Sequence, residues 1–179
     1  MQTDDIPYKD YDHADKMRRG FAFTIDREGR WYCHDPAMGE GPIRREALAK
    51  LFAGAGSGFM AGKGLSVDQT GRYWLKSPQD VYEIEVEDVP FLISDFERTD
   101  GTITLKTNFG EAVPLDTAHT FETHASGPFP DIPYVTVRAG LKARISRAVL
   151  YNLVPIAEEQ NNQLLLHSGG KLHRLGVIA

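Results

Sequence analysis

A single cysteine stands among 179 residues. With Cys33 alone no intrachain disulfide can form, and a zinc site built on several thiolates is excluded. Basic residues are also short: 20 lysines and arginines against 25 aspartates and glutamates leave a net charge of −5. Dedicated nucleic-acid binders carry the opposite excess, so nucleic acid is not an expected partner. A small anion held in a local basic pocket stays open. Long apolar runs are missing too. The first twenty residues, MQTDDIPYKDYDHADKMRRG, lack the apolar centre of a signal peptide, and no stretch reaches the length of a membrane span. A cytoplasmic, bacterial-type protein without a membrane partner is expected.

Catalytic signatures are equally scarce. The glycine-rich stretch GAGSGFMAGKGLS would need glycine at Ser57 and serine or threonine at Gly64 to be a Walker loop. The dinucleotide fingerprint fails at Ala61, and the stretch follows an expected helix rather than a strand. It reads as a flexible loop or lid. No G-x-S-x-G elbow occurs. Cys33, His34 and Asp35 are neighbours that diverge on a strand, which predicts a structural cysteine rather than a nucleophile. In HTFETH only Glu122 and His124 share a strand face, too few for a metal site. His167 and His173 flank the SGG turn and are expected to face each other. No catalytic residue, metal or cofactor is expected.

What is present suits a folded domain: 41% hydrophobic and 25% charged residues. FAFTI, DREG and RWYCH read as a hairpin. Pro42 opens a predicted helix carrying Ile43, Ala47, Leu48, Leu51 and Phe52, which ends at Gly54. RYWLK, DVYEIEVE, FLISDFE and TITLKT read as one antiparallel meander, with Tyr82, Ile84 and Val86 inward and Glu83, Glu85 and Glu87 in water. GPFPDIP is a rigid connection. YVTVR, a helix from about Gly140 to Val154, and the hairpin QLLLHSGGKLHRLG complete the chain; Leu141, Ile145, Val149 and Leu153 define that helix's buried face.

Two segments share one template. IRREALAKL (Ile43 to Leu51) and ISRAVLYNL (Ile145 to Leu153) both read isoleucine, x, arginine, x, x, leucine, x, x, leucine. Around each, the order strand, helix, strand, turn, strand recurs, which predicts an internal duplication. Arg45 and Arg147 hold the same template position, and Arg138, Lys142 and Arg144 lie close to the second helix. Guanidinium forks suit carboxylate or phosphate, so these arginines either gather on an anion or pair with the acidic ribbon of Glu83, Glu85, Glu87 and Asp88. VEDVPF reads as a corner in which Asp88 bonds local backbone and Phe91 plugs the core, or as a grip for an arginine, a ribose or a cation. Asn108, Phe109 and Gly110 form a turn suited to positive φ.

The order GRWYC, GPIRREALAKLF, GRYWLKSPQDVYEIEVEDVPF, TNFGE, PYVTVRAGLKARISRAVLYNLV and HSGGKLHRLG resembles the bacterial domain of unknown function family 1285, from about Phe21 onward. The resemblance implies a duplicated core, a C-terminal half similar to pleckstrin-homology folds, a ligand site between the halves for a nucleotide-like molecule, and a signalling role. It implies no activity. The expected fold is α+β: an arm over 1–20, an N-terminal unit over 21–90 with a glycine-rich insert at 54–66, and a pleckstrin-homology-like unit over 91–179. The expected function is a non-enzymatic sensing module for a small anion. Arg45, Arg138, Arg144 and Arg147 would neutralise it, Tyr73 or Tyr134 would stack on a ring, and Glu87, Asp88 and Asn108 would fix polar edges. The alternatives are a protein-interaction module, binding a signalling partner without a small ligand, and an enzyme for a phosphorylated substrate.

Overall fold

A computed structural model describes residues 13–44, 64–76, 80–124, 127 and 129–178. The chain divides into two compact units, Met1–Glu87 and Asp88–Ala179. Both are mostly β, with some helix.

The N-terminal unit opens with helix α1 (His13–Arg18), followed by strands β1 (Phe23–Ile25), β2 (Trp31–Cys33) and β3 (Gly41–Ile43). Strands β4 (Leu65–Val67), β5 (Tyr73–Lys76) and β6 (Val81–Val86) complete a six-stranded sheet in the order β3-β2-β1-β6-β5-β4. All pairings are antiparallel except β1 with β6. The first hairpin lies where its β-rich runs place it, and its turn has a local cause. The Asp26 carboxylate accepts the amides of Glu28 and Arg30, the Arg30 guanidinium at 2.8 Å and the Tyr32 hydroxyl. Asp68 repeats the device with the Thr70 and Arg72 amides and the Trp74 indole N–H. Phe23, Ile25, Trp31, Leu65, Leu75 and Ile84 form this unit's core.

Three expectations change here. Glu85 of β6 is held rather than solvated: Lys16 of α1 and Arg19, just after that helix, both bind it. Pro42 sits within β3, so no helix begins there; the rest of that predicted helix and most of the glycine-rich stretch lie outside the described residues. The four-strand meander does not exist as one sheet. Strands β5 and β6 belong to this sheet, whereas the next two strands belong to the other unit's.

The C-terminal unit holds β7 (Phe91–Thr99), β8 (Thr102–Thr107), β9 (Ala112–Pro114), β10 (Phe121–Glu122), β11 (Tyr134–Arg138) and β12 (Leu141–Ile145). Their sheet runs β10-β11-β12-β7-β8-β9, again antiparallel except where β12 meets β7. Counted from each unit's own first strand, both sheets have the order 3-2-1-6-5-4. The helix template pairs Trp31–Cys33 with Tyr134–Arg138, but by sheet order the counterpart of Trp31–Cys33 is Thr102–Thr107. Alternation is clean in β8, where Ile103, Leu105 and Thr107 are buried.

Helix α2 (Arg147–Leu153) is half the length expected. Ala139 and Gly140 both take positive φ, 44° and 79°, and so form a tight hairpin turn. That turn returns Leu141–Ile145 along β11 as a strand, so Leu141 and Ile145 are buried sheet residues and not part of a helix face. Ser146 then caps α2 by accepting the Val149 amide, and Val149 and Leu153 are its buried residues. A 3₁₀ turn over Val154–Ile156 follows.

Strands β13 (Glu158–Gln160), β14 (Gln163–Ser168) and β15 (Lys171–Val177) make a third sheet. Ser168 fastens it to the second: its hydroxyl accepts the Ile103 amide at 2.7 Å and donates to the Leu115 carbonyl at 2.6 Å. His167 and His173 do not face each other. The register sets His173 beside Leu166, which buries it, whereas His167 lies outside against Glu158.

Candidate functional site

A buried polar cluster of the C-terminal unit is built on two adjacent antiparallel strands. Tyr134 of β11 and Arg144 of β12 are register partners. The Tyr134 hydroxyl donates to the Asp88 carboxylate, 2.9 and 3.1 Å from its two oxygens. Arg144 Nε donates to the same carboxylate at 3.1 Å, and both side chains of this ion pair are only 4% exposed. The Arg144 guanidinium also lies 3.7 Å from the centre of the Phe129 ring, a cation–π contact strengthened by burial. Burial and then the hydrogen bond and charge of Asp88 push the Tyr134 phenol far above its ordinary value, so it remains a donor.

His124 stacks on the Tyr134 ring, 4.1 Å between centres and 12° from parallel. Its Nε2 lies 3.4 Å from Lys142 Nζ, which donates to Glu122 at 2.8 Å. Burial alone would raise the Glu122 carboxyl, but Lys142, with His124 and Thr136 adding to it, holds the group below its usual range. Gly127 permits the stack: a Cβ there would come within 3.2 Å of the His124 Cβ and carbonyl oxygen.

Beyond Phe129 the surface opens into a cavity of about 280 Å³. Phe129, Pro130 and Ile132 contribute one side, Arg147, Leu150 and Tyr151 of α2 another, and Asp131 also lines it. Arg147, Leu150 and Tyr151 share a helix face by their i, i+3, i+4 spacing. Arg147 and Asp131 are exposed, and neither has a hydrogen-bond or ion-pair partner among the described residues.

The residues nominated from sequence separate accordingly. Asp88, Tyr134 and Arg144 meet at the buried cluster, and Arg147 is joined to them through Phe129. Asp88 bonds these side chains rather than its local backbone, while Phe91 does plug the core. Of the basic group, Arg144 pairs with Asp88 of the acidic ribbon. Arg138 binds Glu111 at 3.0 Å. Asn108 accepts the Leu92 amide, and within its turn only Gly110 has positive φ. In the N-terminal unit Glu87 lies 3.7 Å from Arg27, Tyr73 is half-buried in β5, and Arg45 lies outside the described residues. Sequence reasoning missed Phe129, Asp131, Tyr151 and the His124 stack; the helical spacing from Arg147 to Tyr151 was the available signal.

The family model described as "Protein of unknown function (DUF1285), C-terminal domain" matches residues 90–175. A crystal structure of a DUF1285 family protein from Silicibacter pomeroyi DSS-3 is 26% identical, with a TM-score of 0.66 over 88% of this chain and 81% of that one. Residues 90–175 of this chain therefore match the C-terminal domain of the DUF1285 family. A second DUF1285 family structure, from Shewanella baltica OS155, is 24% identical with a TM-score of 0.52, covering 76% of this chain and 92% of that one. No curated protein matches the sequence. The DUF1285 match spans the buried cluster's Tyr134 and Arg144 and every residue lining the cavity, while Asp88 lies two residues before it.

A second cavity, of about 330 Å³, lies in the N-terminal unit beside Phe23, Cys33, Met38 and Ile43, with Arg44 among its lining residues. Cys33 is 3% exposed, and burial pushes its thiol up, which disfavours the thiolate a nucleophile needs. No cluster of metal-ligating side chains occurs among the described residues. No described helix is long and apolar enough to cross a membrane.

Proposed function

We propose that this protein is a binding module of bacterial signalling that holds a small molecule bearing an anionic group in the cavity beside α2. The observation that carries the reading is Arg147: a guanidinium without a partner among the described residues, on a concave surface with two aromatic rings. A cavity of about 280 Å³ falls just below the usual range of ligand sites, about 300 to 1,000 Å³, and so suits a small molecule. The neighbouring Asp88–Arg144–Tyr134 cluster supplies rigidity rather than charge. Arg144 is already neutralised by Asp88, and its contact with Phe129 sets one wall of the cavity.

A thermal-shift screen of nucleotides, cyclic dinucleotides and sugar phosphates, run on wild type and Arg147→Ala, tests this. A ligand at a hundred times its Kd stabilises by about 2.7 kcal/mol, which raises Tm by about 2–4 °C per kcal/mol in a chain of this size. A shift seen in wild type and lost in the variant is expected. A shift that survives unchanged in the variant would move the site elsewhere.

A second reading is a protein-interaction face of pleckstrin-homology-like type. It is favoured by Tyr151, Val154 and Ile156, which are 70%, 38% and 40% exposed on α2 and the turn after it. We also propose that the two units arose by duplication of a six-stranded unit. The shared order 3-2-1-6-5-4, with the parallel contact at the same place in each, supports it.

A further inference from the structure

We infer that the ligand of the α2 cavity is a zwitterion with an apolar body, an aromatic α-amino acid or a close analogue, rather than a polyanion. This rests on the reading of that cavity as a small-molecule site, and it follows from the cavity's charge. Among the described residues, its lining carries one guanidinium, Arg147, and one carboxylate, Asp131. They are not bonded to each other, and neither is engaged by another described residue. The formal charge of the lining is therefore zero. Arg144, which touches the Phe129 ring of that lining, is neutralised by its ion pair with Asp88.

A nucleoside phosphate with two or more charges would gain one arginine and meet one carboxylate, an arrangement that repels much of what it attracts. A molecule with one carboxylate and one ammonium satisfies both groups, each by a charge-assisted hydrogen bond. Between the charged groups the lining is apolar, with Phe129, Ile132, Leu150 and Tyr151 offering two ring faces and two aliphatic side chains. Those surfaces favour an aromatic or large aliphatic body over a sugar.

Isothermal titration of the full chain with L-phenylalanine, L-tryptophan, 3-phenylpropionate, phenethylamine and adenosine monophosphate tests the inference. An aromatic amino acid should bind at least about tenfold more tightly than the analogue lacking either charge, the increment of one charge-assisted bond. Asp131→Asn should abolish the preference over 3-phenylpropionate, and Arg147→Gln the preference over phenethylamine. Both positions are exposed, so circular dichroism of the variants should match wild type. If 3-phenylpropionate or the nucleotide binds as well as the amino acids, the zwitterion inference is wrong while the anion-binding reading stands. If no compound here binds and the nucleotide and sugar-phosphate screen is also silent, both fail.

Discussion

Asp88 shows how little of a residue's role its neighbours in sequence reveal. Read locally, the second acid of VEDVPF turns a corner; in the fold it is the common acceptor of Tyr134 and Arg144, 46 and 56 residues away. Burying this pair has a large desolvation cost, so removing one partner should differ from removing both. Asp88→Asn strands a buried guanidinium and should destabilise by about 3–5 kcal/mol, whereas Asp88→Leu with Arg144→Met should cost much less. Tyr134→Phe loses one hydrogen bond to a charged group, about 1.5–3 kcal/mol. Urea unfolding of the four proteins checks this ranking; a double variant no better than Asp88→Asn would show that the ion pair itself, and not desolvation balance, supports the unit.

The elements followed their local signals where turn chemistry was strong. DREG, RTDG and SGG all join antiparallel strands, because aspartate side chains or consecutive positive φ values favour those turns locally. They failed at AGLKARIS, where leucine and isoleucine four apart fit a helix face, yet Ala139 and Gly140 reverse the chain and make the segment a strand. Periodicity over so short a run does not separate the two states. The β14–β15 turn offers a test at this scale. Gly169 and Gly170 both have positive φ, but a Cβ at Gly169 would come within 3.0 Å of Asp116 and Leu115, while one at Gly170 meets nothing within 4 Å. Gly170→Ala should cost only backbone strain, about 1–3 kcal/mol, and Gly169→Ala more than that. Equal losses in Tm would mean that the third sheet is not pressed against the 115–116 segment.

On the scale of the whole chain, the C-terminal unit, Asp88–Ala179, holds its own core, from Phe91 and Ile93 through Tyr134 and Leu141 to Leu175. Expressed alone from Asp88, it should unfold cooperatively and keep the ligand response of the full chain. Calorimetry on the fragment measures both. A fragment without a transition would show that its core is incomplete without residues 1–87.

Composition, turn residues and β-rich runs determined the coarse outcome: no intrachain disulfide, strands together with some helix, and hairpins at Asp26, Asp100 and Gly169. These depend on interactions within a few residues, which sequence displays directly. Tertiary structure alone decided that β6 and β7 enter different sheets, and that Arg144 is neutralised while Arg147 has no partner among the described residues. It also placed Phe129 and Asp131 of a proline-rich connection beside Arg147 and Tyr151. The physical reason is that charge pairing and pocket formation depend on distance in space, and strands far apart in sequence set that distance here.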